Sequence, residues 1–544
     1  MLRRFAGMSH TMRNHILVTA AALSCAPLSA QANVIPGLDG SLTNNASPTY
    51  FGRRGAAHPN GEIGMSYSYT MCNPGIVPIQ WTAPMNPNHP MFAMMVVRES
   101  NGRFEQITND ATTYVKHAFG AANTASTCGG TCQTTGTGLR VNCTDTYGAT
   151  TNANRNYLAP ASEIDPWTGV WAPVGSYFDR GEPDVGPPAN QDGVRSLSGT
   201  APAFAADLVK NRVTLREQDL LAAGRKWMCC HIVVAGEDGN LHLNNTGHRE
   251  IVPTWNGTTW TFANPAVFQP GTVLSKWADA TLNHARNGGD DGHFYVAAKV
   301  AQVGPTTWRY EYAVHNLDNN RGAATLRIPC NPATSVTNVS FRDPNDDPLD
   351  QWIVSRVGAE LVFTAPATNP LNWNNIYNFG FDADVAPVTG AVALDQARIG
   401  PGALAVVVAS PVPRGLVSVS TIGAGCGAPA PVLYANGLPL IPNAAFGFTV
   451  QGAGGAPVVV FASLGADNAA VAPGCFRYVD AGFVMHGAYV ANAGGQTVAP
   501  FAIPNALALD GTAVTWQAAQ IVAAGPLLGF LALTNGVGIV VAAR

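Results

Sequence analysis

The run Trp308-Arg309-Tyr310-Glu311-Tyr312-Ala313-Val314-His315-Asn316 constrains the fold more than any other stretch of this chain. Trp308, Tyr310, Tyr312 and Val314 alternate with Arg309, Glu311, Ala313 and His315. A period of two puts one set on each side of an extended strand, one face apolar and the other wet. Phe294 to Val300 is a second run of strand formers, and Val303-Gly304-Pro305-Thr306-Thr307 between them reads as a turn. Two such strands can shelter their apolar faces only against another sheet, which predicts a β-sandwich.

Composition carries that expectation along the chain. Only 12% of residues are charged, and there are 57 glycines and 39 prolines. That balance suits many short strands joined by turns rather than helical bundles. The expected fold class is mostly β: tandem antiparallel sandwiches, Ig-like or jelly-roll-like, with long loops and one or two short helices. A length of 544 residues accommodates several cores. The net charge is −4 and no dense Lys/Arg run occurs, so nothing resembles an electrostatic footprint for nucleic acid.

The N-terminus reads as an export signal over residues 1–32. Arg3, Arg4 and Arg13 supply a positive region, an apolar stretch begins at Ile16–Ala22, and Ala30-Gln31-Ala32 matches a small-x-small cleavage site before Asn33. A lipoprotein site at Cys25 is disfavoured because Leu23 and Ser24 are out of phase for it. The expected location is therefore exported: periplasm, cell surface or extracellular space, where disulfides persist. Without Cys25 nine cysteines remain, so at least one is unpaired, intermolecular or metal-bound. Ile521 to Ala543 is uncharged and about as long as a membrane span, but Gly525-Pro526 and Asn535-Gly536 read as turns between buried strands. No transmembrane anchor is expected.

The chain divides into a loop-rich, β-rich unit at 33–286, a sandwich at 287–409, a Pro-rich joint at 410–417 and a C-terminal sandwich at 418–544. Residues from Asn33 onward are strand-poor, and Glu62–Cys72 reads as the first strand. Met91–Arg98, Phe104–Ile107 and Trp227–Val234 read as further strands. Thr214-Leu215-Arg216-Glu217 has the form of a capping box, opening a helix of about two turns that Gly224 stops. Cys128 to Gln191 reads as a long loop, held by crosslinks or functional. In the last unit, turn signals at Asn436-Gly437, Gly454-Gly455 and Asn535-Gly536 recur at sandwich spacing.

Several constellations could carry chemistry. His117, Cys128, Cys132 and Cys143 offer imidazole and sulfur to zinc or copper, although disulfides among them or to Cys72 suit the compartment better. Cys229-Cys230-His231 is a second such group; adjacent cysteines rarely bond each other, so each would seek another partner, for instance Cys330. Asp290, Asp291, Asp382 and Asp384 lie in acidic loops or strand ends that could hold calcium, or serve as solvated turns. Glu163 and Asp165 could act as paired carboxylates beside Trp167, Trp171 and Tyr177. Cys426 and Cys475 are the only cysteines of the last unit, which predicts a disulfide. No G-x-S-x-G, H-E-x-x-H or G-x-x-x-x-G-K-[ST] motif occurs.

Three blocks resemble a large group of secreted proteins of Gram-negative environmental bacteria. They are Gly102–Ile107 with Val115–Phe119 and the cysteines after it; Trp308–Asn316 with Tyr377–Pro387; and Gly423–Cys426 with Pro473–Cys475, ending at Trp516-Gln517 and Thr534-Asn535. The resemblance implies an exported, modular, mostly-β protein and no particular reaction.

These observations lead to a secreted or cell-surface structural or binding protein without identifiable catalysis, in contact with cell-envelope components or glycans. Two other functions compete with it. One is a secreted hydrolase or metalloenzyme seated around His117, Glu163 and Asp165. The other is a calcium-dependent glycan-binding module.

Overall fold

The computed structural model describes residues 34–81, 83–108, 113–117, 120–125, 128–181, 191–287, 292–330, 334–345, 347–400, 402–413, 417–506, 509 and 511–543. Residues 1–32, read as an export signal, and Asp290 and Asp291 lie outside the described residues. The chain is mostly antiparallel strands with a few helices of four or five residues.

Four sheets stack between residues 41 and 412. The outermost contains Ser41–Gly55, Gly61–Cys72, Cys143–Tyr147 and Thr124–Ala125, with Val213–Arg216 paired to Gly61–Cys72. Behind it lies an eight-stranded sheet whose centre is Thr246–Trp255, Arg225–Val233 and Met91–Ser100. The third sheet runs Thr281–Ala285, Phe294–Gly304, Thr307–Asn316, Asn375–Ala383, Val336–Arg342. The fourth runs Ile353–Val357, Glu360–Thr364, Ala323–Pro329, Val388–Gln396, Ala405–Val412.

Alternation along the strands builds three apolar layers from these four sheets. Met228, Cys230 and Ile232 point into the first layer, with Tyr67, Tyr69, Phe92 and Met94. Trp227 and Cys229, on the opposite face of the same strand, enter the middle layer with Met95, Val97 and Phe104. Tyr295, Ala297, Ala313 and Ile376 meet them from the third sheet. Tyr310, Tyr312 and Val314 face the third layer. Burying that many large side chains is the main force holding the stack, at about 1.5–3 kcal/mol for each fully buried one.

The face holding Arg309, Glu311, Ala313 and His315 is therefore not wet, contrary to expectation. Ala313 is 0% and His315 1% exposed, because the first unit covers them. The alternation itself is as expected: the strand pairs with Phe294–Gly304 across a tight turn, Gly304 facing Thr307.

Other differences are local. Ser41–Gly55 precedes the segment read as the first strand and pairs with it. Thr214 does not cap a helix. It lies in the strand Val213–Arg216, and the helix is one turn, Glu217–Leu221, with Arg216 at its N-cap and no side-chain cap. Glu217 is instead 0% exposed, accepting from Arg53, Trp260 Nε1 and the Gly61 N–H. Thr281–Ala285, before the boundary read at 287, is the first strand of the third sheet. Ser410–Val412, read as joint, completes the strand Ala405–Val412.

The C-terminal sandwich packs Ser418–Ile422, Gly536–Val540, Ala513–Gly525, Pro457–Ser463 and Val484–Val490 over Val432–Ala435, Gly447–Gln451 and Gln496–Pro500. Phe448, Val450, Val460, Trp516 and Ile539 fill the space between. Ile521–Ala543 forms strands of this sandwich, Gly529–Leu533 folding back on Ala513–Gly525. No helix among the described residues is long and apolar enough to cross a membrane.

Candidate functional site

The middle layer is apolar at its centre and polar at one end. Trp227, Cys229 and His231 share a face of their strand, so the period that buries Trp227 carries His231 to that polar end. Ala313 and His315 do the same from the opposing sheet. The turn after the 307–316 strand then delivers Asp318, fixed by Asn316 Oδ1 accepting from the Asn319 N–H at 2.8 Å.

Asp318 is 0% exposed and organises the seam. Its Oδ2 lies 2.8 Å from His242 Nδ1, and its Oδ1 accepts the His293 backbone N–H, with His293 Nδ1 at 3.3 Å. Burial opposes the charge, but the hydrogen bonds and charges of His242 and His293 more than offset it, so the carboxyl stays far below the usual range. An ionised carboxylate only accepts, so His242 holds a proton on Nδ1. Burial also works against a charged His242; the hydrogen bond and charge of Asp318, with Glu237 and Asp238, raise its pKa above the ordinary value nonetheless. Glu237 Oε2 lies 3.9 Å from His242 Nε2, and burial pushes the Glu237 carboxyl up to about 7. Glu237 also accepts the Gly40 N–H at 2.6 Å and Asn245 Nδ2.

Two glycines permit this close packing. A Cβ on Gly292 would sit 2.2 Å from Asp318 Oδ1, and one on Gly239 would sit 1.9 Å from the Trp167 ring. Trp167 meets His242 edge-on at 5.0 Å and lies under the Arg286 guanidinium at 5.4 Å. His231 and His315 complete the seam. Burial lowers His231 to about 4 and His315 to about 3, so both rings are neutral at pH 7. His315 Nδ1 is 3.1 Å from Thr272 Oγ1. Direct bonds stitch the rest of the interface: Gln106 Oε1 accepts the Ile376 N–H at 2.8 Å, Asn378 Nδ2 donates to Phe104 O at 2.9 Å, and Trp373 Nε1 donates to Ala161 O at 2.9 Å.

The residues singled out from sequence fall in different places. His117 is 4% exposed, with Nε2 2.9 Å from Asn152 Oδ1, in a cluster with His89 and Tyr147. Beside it Lys116 is fully buried; its Nζ donates to His89 O at 2.7 Å and sits 4.6 Å over Trp171, and burial lowers it to about 7. Glu163 accepts the Tyr177 N–H at 2.6 Å, Tyr114 O–H at 3.1 Å and Arg180. Asp165 Oδ1 caps the turn at Trp167 and Thr168; burial raises its pKa, and the charge of Asp318 adds to that. Of the three, Asp165 alone borders the seam, and His117, Glu163 and Asp165 are tied into separate networks.

The sulfurs proposed for metal are crosslinked instead. Cys72 bonds Cys128 and Cys132 bonds Cys143, which leaves Cys128, Cys132 and Cys143 no thiolate to offer. Both bridges pin the loop after Thr124–Ala125 to the first sheet. Cys426 is joined to Cys475. Cys229, Cys230 and Cys330 are buried and take part in none of these three bridges; Cys330 Sγ accepts from Arg356 Nη1 at 3.5 Å. Asp382 engages Arg309 at 3.3 Å and Asn338, whereas Asp384 accepts the Ser335 N–H at 2.9 Å, so the two carboxylates serve different partners. Among the described residues no group of three or more His, Cys, Asp or Glu side chains is arranged to hold a metal ion.

An open cleft of about 220 Å³ lies beside the 246–255 strand, lined by Arg225, His248, Glu250, Gln269 and Lys276 among others. Arg225 is paired with Glu250 at 2.7 Å across it, and His117, Glu163 and Asp165 do not line it. The sequence missed Asp318 altogether. His231 and His315 each carried a local explanation, His242 and His293 drew no reading, and only the stacking of two units brings the four together.

No family model and no curated protein matches the chain. Among solved structures, it is similar to Escherichia coli alpha-2-macroglobulin activated by porcine elastase, with 10% identity and a TM-score of 0.13. That match covers 94% of this chain and 35% of the macroglobulin, so the chain spans about a third of its length. It is also similar to BcpA, the major pilin subunit of Bacillus cereus, with 10% identity over 59% of this chain and 83% of that one, at a TM-score of 0.15. A variant of the same pilin gives 11% identity, 55% and 73% coverage and a TM-score of 0.15.

Proposed function

We propose that this chain is an exported structural or binding protein of the cell surface or extracellular space, which performs no reaction of its own and meets cell-envelope components or glycans through its loops. The observation that carries this reading is the sealed seam. The most strongly perturbed groups of the middle layer, Asp318, Glu237, His231 and His315, are each 3% exposed or less. Groups that substrate cannot reach do not act on it; they hold two units together as one body. The three disulfides support export, since such bonds persist in oxidising compartments.

The test is Asp318→Asn in the exported protein. Leaving His242 without its counter-charge is expected to cost about 3–5 kcal/mol of stability, read from urea unfolding. Binding of the folded fraction to cell envelopes should be unchanged, and peptide mapping without reductant should recover all three crosslinks. A variant of undiminished stability that loses a hydrolytic activity shown by the parent protein would reverse the reading, as would a cytosolic protein with those cysteines reduced.

A further inference from the structure

The cleft beside the Thr246–Trp255 strand has walls fixed by the fold. That strand supplies His248, Arg249 and Glu250, and Gln269 pairs with His248 across the ladder. The turn Val273–Lys276 adds Lys276; its Val273 and Leu274 are buried in the middle layer, and the Leu274 N–H donates to Thr272 Oγ1 at 3.3 Å. Arg249 ties down the loop that completes the wall, donating from Nε to Ala266 O at 2.8 Å and from Nη1 to Asn45 O at 3.2 Å.

Two features of these walls point to a ligand. The first is charge. Arg225 is neutralised by Glu250, whereas Arg249 and Lys276 pair with no carboxylate among the described residues. The cleft thus carries two positive charges in excess, in a chain whose net charge is −4. Lys276 Nζ and the Gln269 amide have no hydrogen-bond partner among the described residues. The second feature is His248. It is 1% exposed, and burial lowers it to about 4, so the ring is neutral at pH 7. Gly271 O, 3.1 Å from Nδ1, only accepts, so the proton sits on Nδ1. Nε2 is then an acceptor, and no described group of the chain donates to it. Buried polar atoms are normally paired, so one left over beside a cleft marks a place for an outside donor.

Together these features select the chemistry of the ligand. A bare sulfate or carboxylate would satisfy Lys276 but offers Nε2 only further acceptors. A neutral sugar has hydroxyl donors and makes no use of the charge. A sugar acid has both: a carboxylate for Lys276, and hydroxyls that donate to Nε2 and exchange both kinds of hydrogen bond with the Gln269 amide. Val267, 70% exposed on the rim, offers apolar contact to the C–H groups of a ring. The cleft's volume of about 220 Å³ is below the roughly 300–1,000 Å³ of a site for a drug-sized molecule, so it holds one such ring.

We propose that the cleft binds one carboxylated sugar residue of an acidic glycan, with Lys276 holding the carboxylate and His248 Nε2 and Gln269 holding the hydroxyls. This assignment rests on the proposed function and names the class of glycan that it leaves open.

Isothermal titration calorimetry of the full exported chain with trigalacturonic acid tests it, beside the neutral trisaccharide, poly-glutamate and inorganic sulfate. The acidic trisaccharide is expected to bind, more weakly as salt rises. Lys276→Met should lower its affinity at least about tenfold and flatten the salt dependence, and Gln269→Ala should lower it several-fold. Neither side chain is buried, so both variants should melt as the parent does. Lys299→Met, outside the cleft, should bind like the parent. No binding by the parent, a Lys276→Met protein with undiminished affinity, or equal loss in Lys299→Met overturns the assignment. Poly-glutamate or sulfate bound as tightly overturns it too, giving the cleft to an acidic peptide or a simple anion. A protein that holds cell envelopes but ignores the trisaccharide refutes this assignment alone. A protein that binds the trisaccharide and releases new reducing ends keeps the site and refutes the non-catalytic reading.

Discussion

Histidine is the residue through which solution conditions reach this fold. Burial lowers His89 to about 3, His117 to about 4, His231 to about 4, His248 to about 4 and His315 to about 3. The same rings titrate near 6.5 in the unfolded chain. Between those values the unfolded chain binds more protons than the folded one, so stability rises with pH across this window. Glu237, raised to about 7, acts in the opposite direction between 4.5 and 7, as do the raised carboxyls of Asp145, Glu163 and Asp165 just above their ordinary values, whereas the raised His242 does so only above 6.5. The five strongly lowered rings outweigh the single strongly raised carboxyl, Glu237, and decide the sign. Calorimetry should find a melting temperature that climbs from pH 4 to pH 6.5, and a flat or falling profile would mean that these rings are solvated. Lys116, lowered to about 7, extends the gain above neutrality because it is charged in the unfolded chain up to 10.5.

At the level of strands, the sequence was informative about period and misleading about exposure. Alternation in Trp308–Asn316 located the strand, its partner and its turn, because pleating follows from backbone geometry alone. The opposite face looked wet because Arg309 and Glu311 sit on it. Yet these two satisfy each other at 2.7 Å, and Ala313 and His315 further along are sealed. A better signal was present in Phe294-Tyr295-Val296-Ala297-Ala298 and in Trp227–Val233, which are apolar at nearly every position. Strands buried on both faces read that way. The capping box failed for a related reason: tertiary pairing of Val213–Arg216 with Gly61–Cys72 outweighed a local preference worth about 1 kcal/mol. Asp318 could not be found because nothing near it in sequence announces its partners, which lie 76 and 25 residues away. The two-sided burial makes a direct prediction. Ala313→Glu should destabilise by about 3–5 kcal/mol in urea unfolding, as much as Val314→Glu on the other face. A tolerated Ala313→Glu would mean that the first unit does not cover that strand.

On the scale of the whole chain, the stack of four sheets shares three continuous apolar layers, whereas the C-terminal sandwich has its own core and its own crosslink. Heating should therefore resolve two transitions, one for residues 34–412 and one for the C-terminal sandwich. Removing the bridge by Cys426→Ser with Cys475→Ser should lower the second alone. The chain-entropy estimate for a closed loop of 49 residues is about 4 kcal/mol. A single transition, or a double variant that shifts both, would show that the sandwich is coupled to the stack.

The buried far side of the Thr307–Asn316 strand also sets an order of events during synthesis. Trp227, Cys229 and Phe104 are made early, but Ala313 and Ile376, which cover them, are made much later. Until ribosomes have passed the 375–383 segment, the nascent polypeptide carries an indole, a thiol and a phenyl ring with nothing to cover them. Such a chain collapses fully only once the covering strands arrive, which makes any truncation before residue 375 an aggregation hazard rather than a smaller protein.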